Sequence, residues 1–259
     1  MTKDIPLLLI HGYPFDHTMW FSTIAALGAK AKVVAPDLPG FGKTPVLENV
    51  EPSIDGYAKF LIDYLDENMH ETVAVAGMSM GGYIALALAE KYPDRICGLG
   101  LISTQAAADS PEAKQARKEM IHKIREHGPS VAAEAIIPKM FANEQTASVD
   151  LKAYPEQGAE KAGREGLTWA LEAMAARPDR TELVSSVTCP VLIVHGSEDK
   201  IIPIAKARAL AEKCQKPLLF EIHNAGHATP LEAPDQVATA LARFIKTSKE
   251  SLPPEPNPS

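Results

Sequence analysis

The sequence predicts an α/β fold: a mostly parallel, doubly wound sheet of about six strands, covered by helices and interrupted by a helical insertion. Three observations predict it. Short, nearly continuous apolar runs recur along the chain, as strands buried on both faces require. Segments with apolar residues at helical spacing separate them, the alternation that builds parallel βαβ units. Between residues 104 and 185 the alternation lapses into alanine-rich, charged sequence with no convincing strand.

The first strand is placed at residues 5–10, an apolar run followed at once by His11-Gly12-Tyr13-Pro14. A helix is expected over 19–27, ending near Gly28, and a second strand over 32–35. Pro36-Asp37-Leu38-Pro39-Gly40-Phe41-Gly42 then reads as a turn-rich loop. Tyr57, Phe60, Leu61, Tyr64 and Leu65 fall at helical spacing and place a helix over 54–68, with Ser53 as its N-cap. A strand over 72–76 enters Gly77-Met78-Ser79-Met80-Gly81-Gly82, and a helix leaves it and runs to about Lys91. Residues 95–102 form the next strand.

In the insertion, Ser110-Pro111-Glu112 opens a helix that Gly128-Pro129 closes, since serine caps and proline suits the first turn. Further helices are expected over 130–141 and 156–177, and a short one near Asp179. Strand pattern returns at 190–194 and 218–222, with helices over 204–213 and 231–246. The expected organisation is a core of residues 1–103 and 186–248, a helical insertion over 104–185, and a proline-rich disordered tail over 249–259.

A formal net charge of −7, with no run of lysine and arginine, argues against a nucleic-acid surface. No segment approaches the roughly 20 apolar residues of a membrane span, so no membrane partner is expected. The 5–10 run is too short for a signal-peptide core, and a cytoplasmic location is the expectation. Cys97, Cys189 and Cys214 are widely separated and make no Cys-x-x-Cys or Cys/His cluster. They are expected to be buried apolar side chains, and neither metal nor cofactor is expected.

The chemistry centres on Ser79. A serine with glycine two residues away on each side suits a strained strand-to-helix turn that pushes the hydroxyl out of the backbone. A serine hydroxyl is a weak nucleophile and needs a base within reach. Of the eight histidines, His227 lies in the loop after the last strand, on the same carboxyl rim of the sheet as Ser79. His223 is its nearest competitor, while His70, His122 and His127 fall in helical or helix-end contexts that favour solvated side chains. The base needs an acid to hold its tautomer. Asp199 follows the preceding strand on that rim, ahead of Glu198, and Asp37 reads better as a turn-forming, backbone-bonded aspartate. Ser103 shares the same edge.

The order Ser79, Asp199, His227 is that of the α/β-hydrolases. With His11-Gly12-Tyr13-Pro14, Asp37-Leu38-Pro39-Gly40-Phe41-Gly42, the Gly77–Gly82 elbow, Gly196-Ser197-Glu198-Asp199 and Gly226-His227, the chain resembles small bacterial serine esterases, lactonases and cofactor-free haloperoxidases of that fold. The resemblance covers residues 5 to about 246 and implies that the insertion lies at the family's cap position. It also implies an oxyanion hole made by the backbone N–H groups of Met80 and Tyr13, and a structural role for His11. Relatives carry two antiparallel strands before the strand ending in His-Gly, and their absence here implies six core strands, all parallel.

Serine at the elbow disfavours the haloalkane dehalogenases and epoxide hydrolases of this fold, which use aspartate there. The expected activity is hydrolysis of a small carboxylic ester or lactone through an acyl-enzyme. Alternatives are perhydrolysis or halide peroxidation by the same three residues, and ligand sensing without turnover. The phrase from His11 to Trp20, with Ala175-Ala176-Arg177-Pro178-Asp179, resembles the 3-oxoadipate enol-lactonase-like hydrolases. Candidate pocket residues are Gln105, Trp169 and Met174; Arg117, Arg164 and Arg177 are candidate cations for an acidic substrate, with surface solvation as the competing reading. The partner expected is a small-molecule ester or lactone, with a homo-oligomer left open.

Overall fold

The computed structural model describes residues 5–143 and 149–252. Six strands form one parallel sheet: β1 (Leu7–Ile10), β2 (Val33–Val34), β3 (Val73–Met78), β4 (Ile96–Ile102), β5 (Val191–Gly196) and β6 (Pro217–Ile222). Their spatial order is β2-β1-β3-β4-β5-β6. The chain therefore steps outward from β1 to β2, returns past β1 to β3, and then winds steadily to β6. The crevice at such a reversal, outside the carboxyl ends of β1 and β3, is where open α/β sheets bind ligands.

The helices are α1 (Phe21–Leu27), α2 (Ile54–Glu67), α3 (Met80–Lys91), α4 (Pro111–His127), α5 (Ser130–Met140), α6 (Val149–Ala176), α7 (Leu183–Ser186), α8 (Ile204–Lys213), α9 (Thr229–Glu232) and α10 (Pro234–Glu250). One apolar layer packs α2, α3 and α8 against one face of the sheet, and a second packs α1 and α10 against the other. Strands β1, β3, β4 and β5 are buried along their whole length, which is why they read as unbroken apolar runs. The edge strand β6 alternates in exposure and opens on Pro217, a position where the missing N–H costs no ladder bond.

Local signals act as the sequence indicates. Ser53 Oγ accepts from the Gly56 N–H at 3.0 Å, and Ser110 Oγ from the Ala113 N–H at 3.2 Å. Gly128, at φ 103°, ends α4 in a conformation that disfavours residues with a Cβ.

Other expectations need correction. Helix α6 starts before residue 156 and is two helical pieces joined at Gly163, whose φ of 62° and ψ of −171° are non-helical. The closing helix runs to Glu250, so Lys249 and Glu250 belong to it and not to a tail. Amphipathic spacing continues to its end, where Ser248 is buried and Leu252 packs on the core. Residues 253–259 of the expected tail lie outside the described residues. Cys97 and Cys214 are buried as expected, but Cys189, just ahead of β5, is only half-buried.

Helices α4 to α7 fill the connection between β4 and β5 and are anchored at several points on the rest of the chain. Lys161 Nζ donates to Asp16 Oδ2 at 2.7 Å. The buried Arg180 guanidinium pairs with Asp55 and with Glu90, the latter at 2.9 Å. Arg177 lies 4.0 Å over the Tyr83 ring and, within the insertion, pairs with Asp109 at 2.7 Å.

Candidate active site

Ser79 joins β3 to α3 with φ 52° and ψ −113°, a conformation that residues with a Cβ rarely adopt. The turn closes only because its neighbours are glycine. A Cβ on Gly77 would collide with the Gly81 carbonyl, and one on Gly81 with the Ile10 carbonyl. The turn is held by Ser79 N–H donating to Ile102 O at 2.9 Å and by Thr104 Oγ1 donating to Ser79 O at 2.8 Å. Strain of this kind persists where the surroundings over-determine it.

The Ser79 hydroxyl meets the imidazole of His227: Oγ and Nε2 are 2.9 Å apart. On the other side of the ring, Nδ1 is 2.8 Å from Asp199 Oδ2. A carboxylate only accepts, so Nδ1 carries the proton and Nε2 is left as the acceptor for the serine hydroxyl. His227 and Asp199 are both buried. Burial alone would raise the Asp199 carboxyl, but hydrogen bonds from His195 and His227 and from the backbone hold it far below the usual carboxylate range. The N–H groups of Ile201 and Ile202 both donate to Asp199 Oδ1 at 2.8 Å. Asp199 is thus ionised and oriented from both of its oxygens.

Met80 is the first residue of α3, so its N–H is one that the helix leaves without an intrahelical acceptor. Gly12 follows β1 so close to the elbow that a Cβ there would lie 3.3 Å from the Ser79 Cβ. The loop after β1 is fixed by His11, which is fully buried. Its Nδ1 donates to Gly12 O at 3.1 Å, and its Nε2 accepts from the Leu38 N–H at 3.0 Å. Burial lowers the His11 pKa to about 4, so the ring is neutral and can accept. Asp37 accepts from His17 N–H at 2.9 Å and Lys43 N–H at 3.1 Å, the backbone-bonded role read from its loop.

Of the competing residues, His223 and Glu198 are exposed. His122 and His127 sit on the surface beside Glu126. The Ser103 hydroxyl lies 3.1 Å from Thr229 Oγ1.

The candidate pocket residues divide. Met174 is buried, with its Sδ 3.4 Å from Arg117 Nη1. Gln105 is half-buried just past β4. Trp169 packs edge-on against Tyr57 at 4.6 Å, between α6 and α2. Of the three arginines, Arg177 is buried and Arg117 half-buried, while Arg164 is exposed, as surface solvation would have it. Arg177 is 2% exposed and donates to the Met174 and Ala107 carbonyls. Arg117 pairs with Asp109 at 2.5 Å, and Arg164 Nε donates to Ile124 O at 3.2 Å.

Two residues at the site were missed by sequence reasoning. His195, four residues before Asp199, places Nε2 3.2 Å from Asp199 Oδ2. Glu232 accepts from the Gly226 N–H at 2.7 Å, next to His227. The His195-Gly196 pair at the end of a rim strand was a usable signal; nothing local marks Glu232. Asp16, His17 and Asp37 place ligand atoms within 4.8 Å of one another, but Lys161 and His17 already occupy the two carboxylates.

Residues 7–240 match the alpha/beta hydrolase family. The chain belongs to that family. It is 30% identical over 257 residues to a pimeloyl-[acyl-carrier protein] methyl ester esterase of Legionella pneumophila, covering 94% of this chain and 96% of that protein. A thermophilic esterase from Thermogutta terrifontis with malate bound is 35% identical, with a TM-score of 0.89 over 95% of this chain and 90% of that one. The enol-lactonase from Burkholderia xenovorans LB400 is 25% identical, with a TM-score of 0.84 over 93% and 92% of the two chains. This chain is an esterase-like enzyme of the alpha/beta hydrolase family. Among the described residues no helix is long and apolar enough to cross a membrane.

Proposed function

We propose that this alpha/beta hydrolase cleaves a small carboxylic ester or lactone through an acyl-enzyme on Ser79. The observation that carries the reading is the His227 imidazole, which bridges Ser79 Oγ and Asp199 Oδ2 at 2.9 and 2.8 Å.

Ser79 Oγ attacks the carbonyl carbon as its proton passes to His227 Nε2. Asp199 stabilises the imidazolium and keeps the ring in place. The negative charge on the carbonyl oxygen falls to the N–H groups of Met80 and Tyr13; losing one such donor typically slows an enzyme about 10²–10³-fold. Collapse of the tetrahedral intermediate breaks the ester C–O bond, and the leaving alkoxide takes the proton from His227. Water then attacks the acyl group by the same route, regenerating Ser79 and releasing the acid. For a lactone, alcohol and acid leave as one molecule.

Residues 104–185 act as a cap over this site in the proposal, with Met174 and Gln105 toward the acyl group. The ester and lactone substrate classes are supported by the names of the relatives. Replacement of Ser79 by alanine tests the reading. Turnover of p-nitrophenyl acetate should fall at least about 10³-fold with an unchanged circular dichroism spectrum; sustained turnover by a folded Ser79→Ala protein overturns it.

A further inference from the structure

The loop carrying His227 is bound to the inserted helices by a set of contacts that converge on Glu232. The Glu232 carboxylate accepts from Gly226 N–H through Oε2 at 2.7 Å and from Ala142 N–H through Oε1 at 2.8 Å. One acceptor group thus joins the residue before His227 to the segment that follows α5. The junction is doubled by the backbone. The N–H groups of His227 and Ala228 both donate to Met140 O, at 2.8 and 3.1 Å. Lys200 Nζ, one residue beyond Asp199, donates to Ala142 O at 3.0 Å. The fit leaves no room for a side chain, since a Cβ on Gly226 would collide with Ala142 N.

We propose that Glu232 is a positioning residue of the hydrolase: its ionised carboxylate clamps the His227 loop to the end of α5, sets the imidazole against Ser79, and adds a negative charge that favours the imidazolium. The inference rests on the reading of His227 as general base.

Only an ionised carboxylate has two free acceptor oxygens for two N–H donors; glutamine offers one acceptor and turns an NH₂ toward the other peptide. The charged groups that face Glu232 are Asp199 and His227, of opposite effect, and Lys200 reaches the same Ala142 peptide. His195 stands behind Asp199, and Glu198 is exposed on the same loop. Burial pushes the Glu232 carboxyl above its ordinary value, so acidification undoes the clamp sooner than it would for a solvated carboxylate.

The test is the pH dependence of kcat/KM for p-nitrophenyl acetate in wild type, Glu232→Gln, Glu232→Asp and, as control, His227→Gln. Glu232→Gln should lower kcat about tenfold with a smaller change in KM, and should move the acid limb down by about half a pH unit or more, because a charge favouring the protonated ring is gone. Glu232→Asp, which keeps the charge but is one methylene shorter, should lose several-fold in kcat while its acid limb stays close to wild type. A Glu232→Gln enzyme that loses thermal stability but keeps its acid limb makes the residue structural and overturns the proposal. So does a Glu232→Asp enzyme with full kcat, which decides the matter even if Glu232→Gln does not fold. Full activity in His227→Gln would overturn the general-base reading itself, and with it the proposal, whatever the Glu232 variants do.

Discussion

His195 and His227 share one carboxylate oxygen: Asp199 Oδ2 lies 3.2 Å from His195 Nε2 and 2.8 Å from His227 Nδ1. His195 Nε2 also reaches Ile202 O at 2.8 Å, which fixes its ring against the turn that carries Asp199. The acid is therefore held by a second imidazole as well as by peptide N–H groups. Replacing His195 with phenylalanine keeps a planar aromatic ring, somewhat larger than the imidazole, and removes that donor. Steady-state kinetics on p-nitrophenyl acetate should show kcat about tenfold lower with KM little changed, because the acid loses orientation in a coupled network.

Stability should depend on pH through His11. Its folded pKa is about 4 because of burial, against 6.5 when free. Between those values the unfolded chain binds a proton that the folded chain does not, so stability rises with pH across the window and is lost as pH falls from 6.5 toward 4. The shift corresponds to about 3 kcal/mol. Urea unfolding at pH 7 and pH 4.5 should show this loss in wild type, and His11→Asn, less stable at pH 7, should lose correspondingly less on acidification.

The Tyr13 N–H can be reached through its neighbour. A Cβ on Gly12 would lie 2.7 Å from Met78 Sδ and 3.0 Å from Met78 O, so Gly12→Ala crowds Met78 and presses on the turn that leads to residue 13. We expect kcat to fall by about 10²-fold, the scale of a misplaced oxyanion donor, with a folded protein by circular dichroism.

Ser79 is held at φ 52°, where glycine is at ease and alanine is not. Both Ser79→Gly and Ser79→Ala should be inactive. In thermal unfolding Ser79→Gly should be the more stable of the two by about 1 kcal/mol, the lower end of the strain stored at such positions.

Much of this was legible in the sequence for identifiable reasons. Parallel strands buried on both faces leave a continuous apolar signature, so Leu7–Ile10 and Val191–Gly196 stand out. The carboxyl ends of parallel strands share one rim, and Ser79, Asp199 and His227 follow β3, β5 and β6 on it. The inserted helices were less readable. Trp169 at helical spacing cannot say which of its neighbours it faces, and it faces Tyr57. The break at Gly163 lies inside good helical sequence, where a single glycine is no certain stop. Glu232 was invisible because its partners, Gly226 and Ala142, are backbone N–H groups, one of them 90 residues away.

The proposed reaction requires that the Ser79 hydroxyl be the group that His227 activates. The direct measurement is labelling with diethyl p-nitrophenyl phosphate, from which a serine alkoxide displaces p-nitrophenolate and retains the diethylphosphoryl group. Intact mass and peptide mapping should show one phosphoryl group per chain, on Ser79, with ester hydrolysis lost in proportion and no label on Ser79→Ala. Inactivation with the label on another residue, or an unlabelled Ser79 in a protein that goes on hydrolysing the ester, would contradict it.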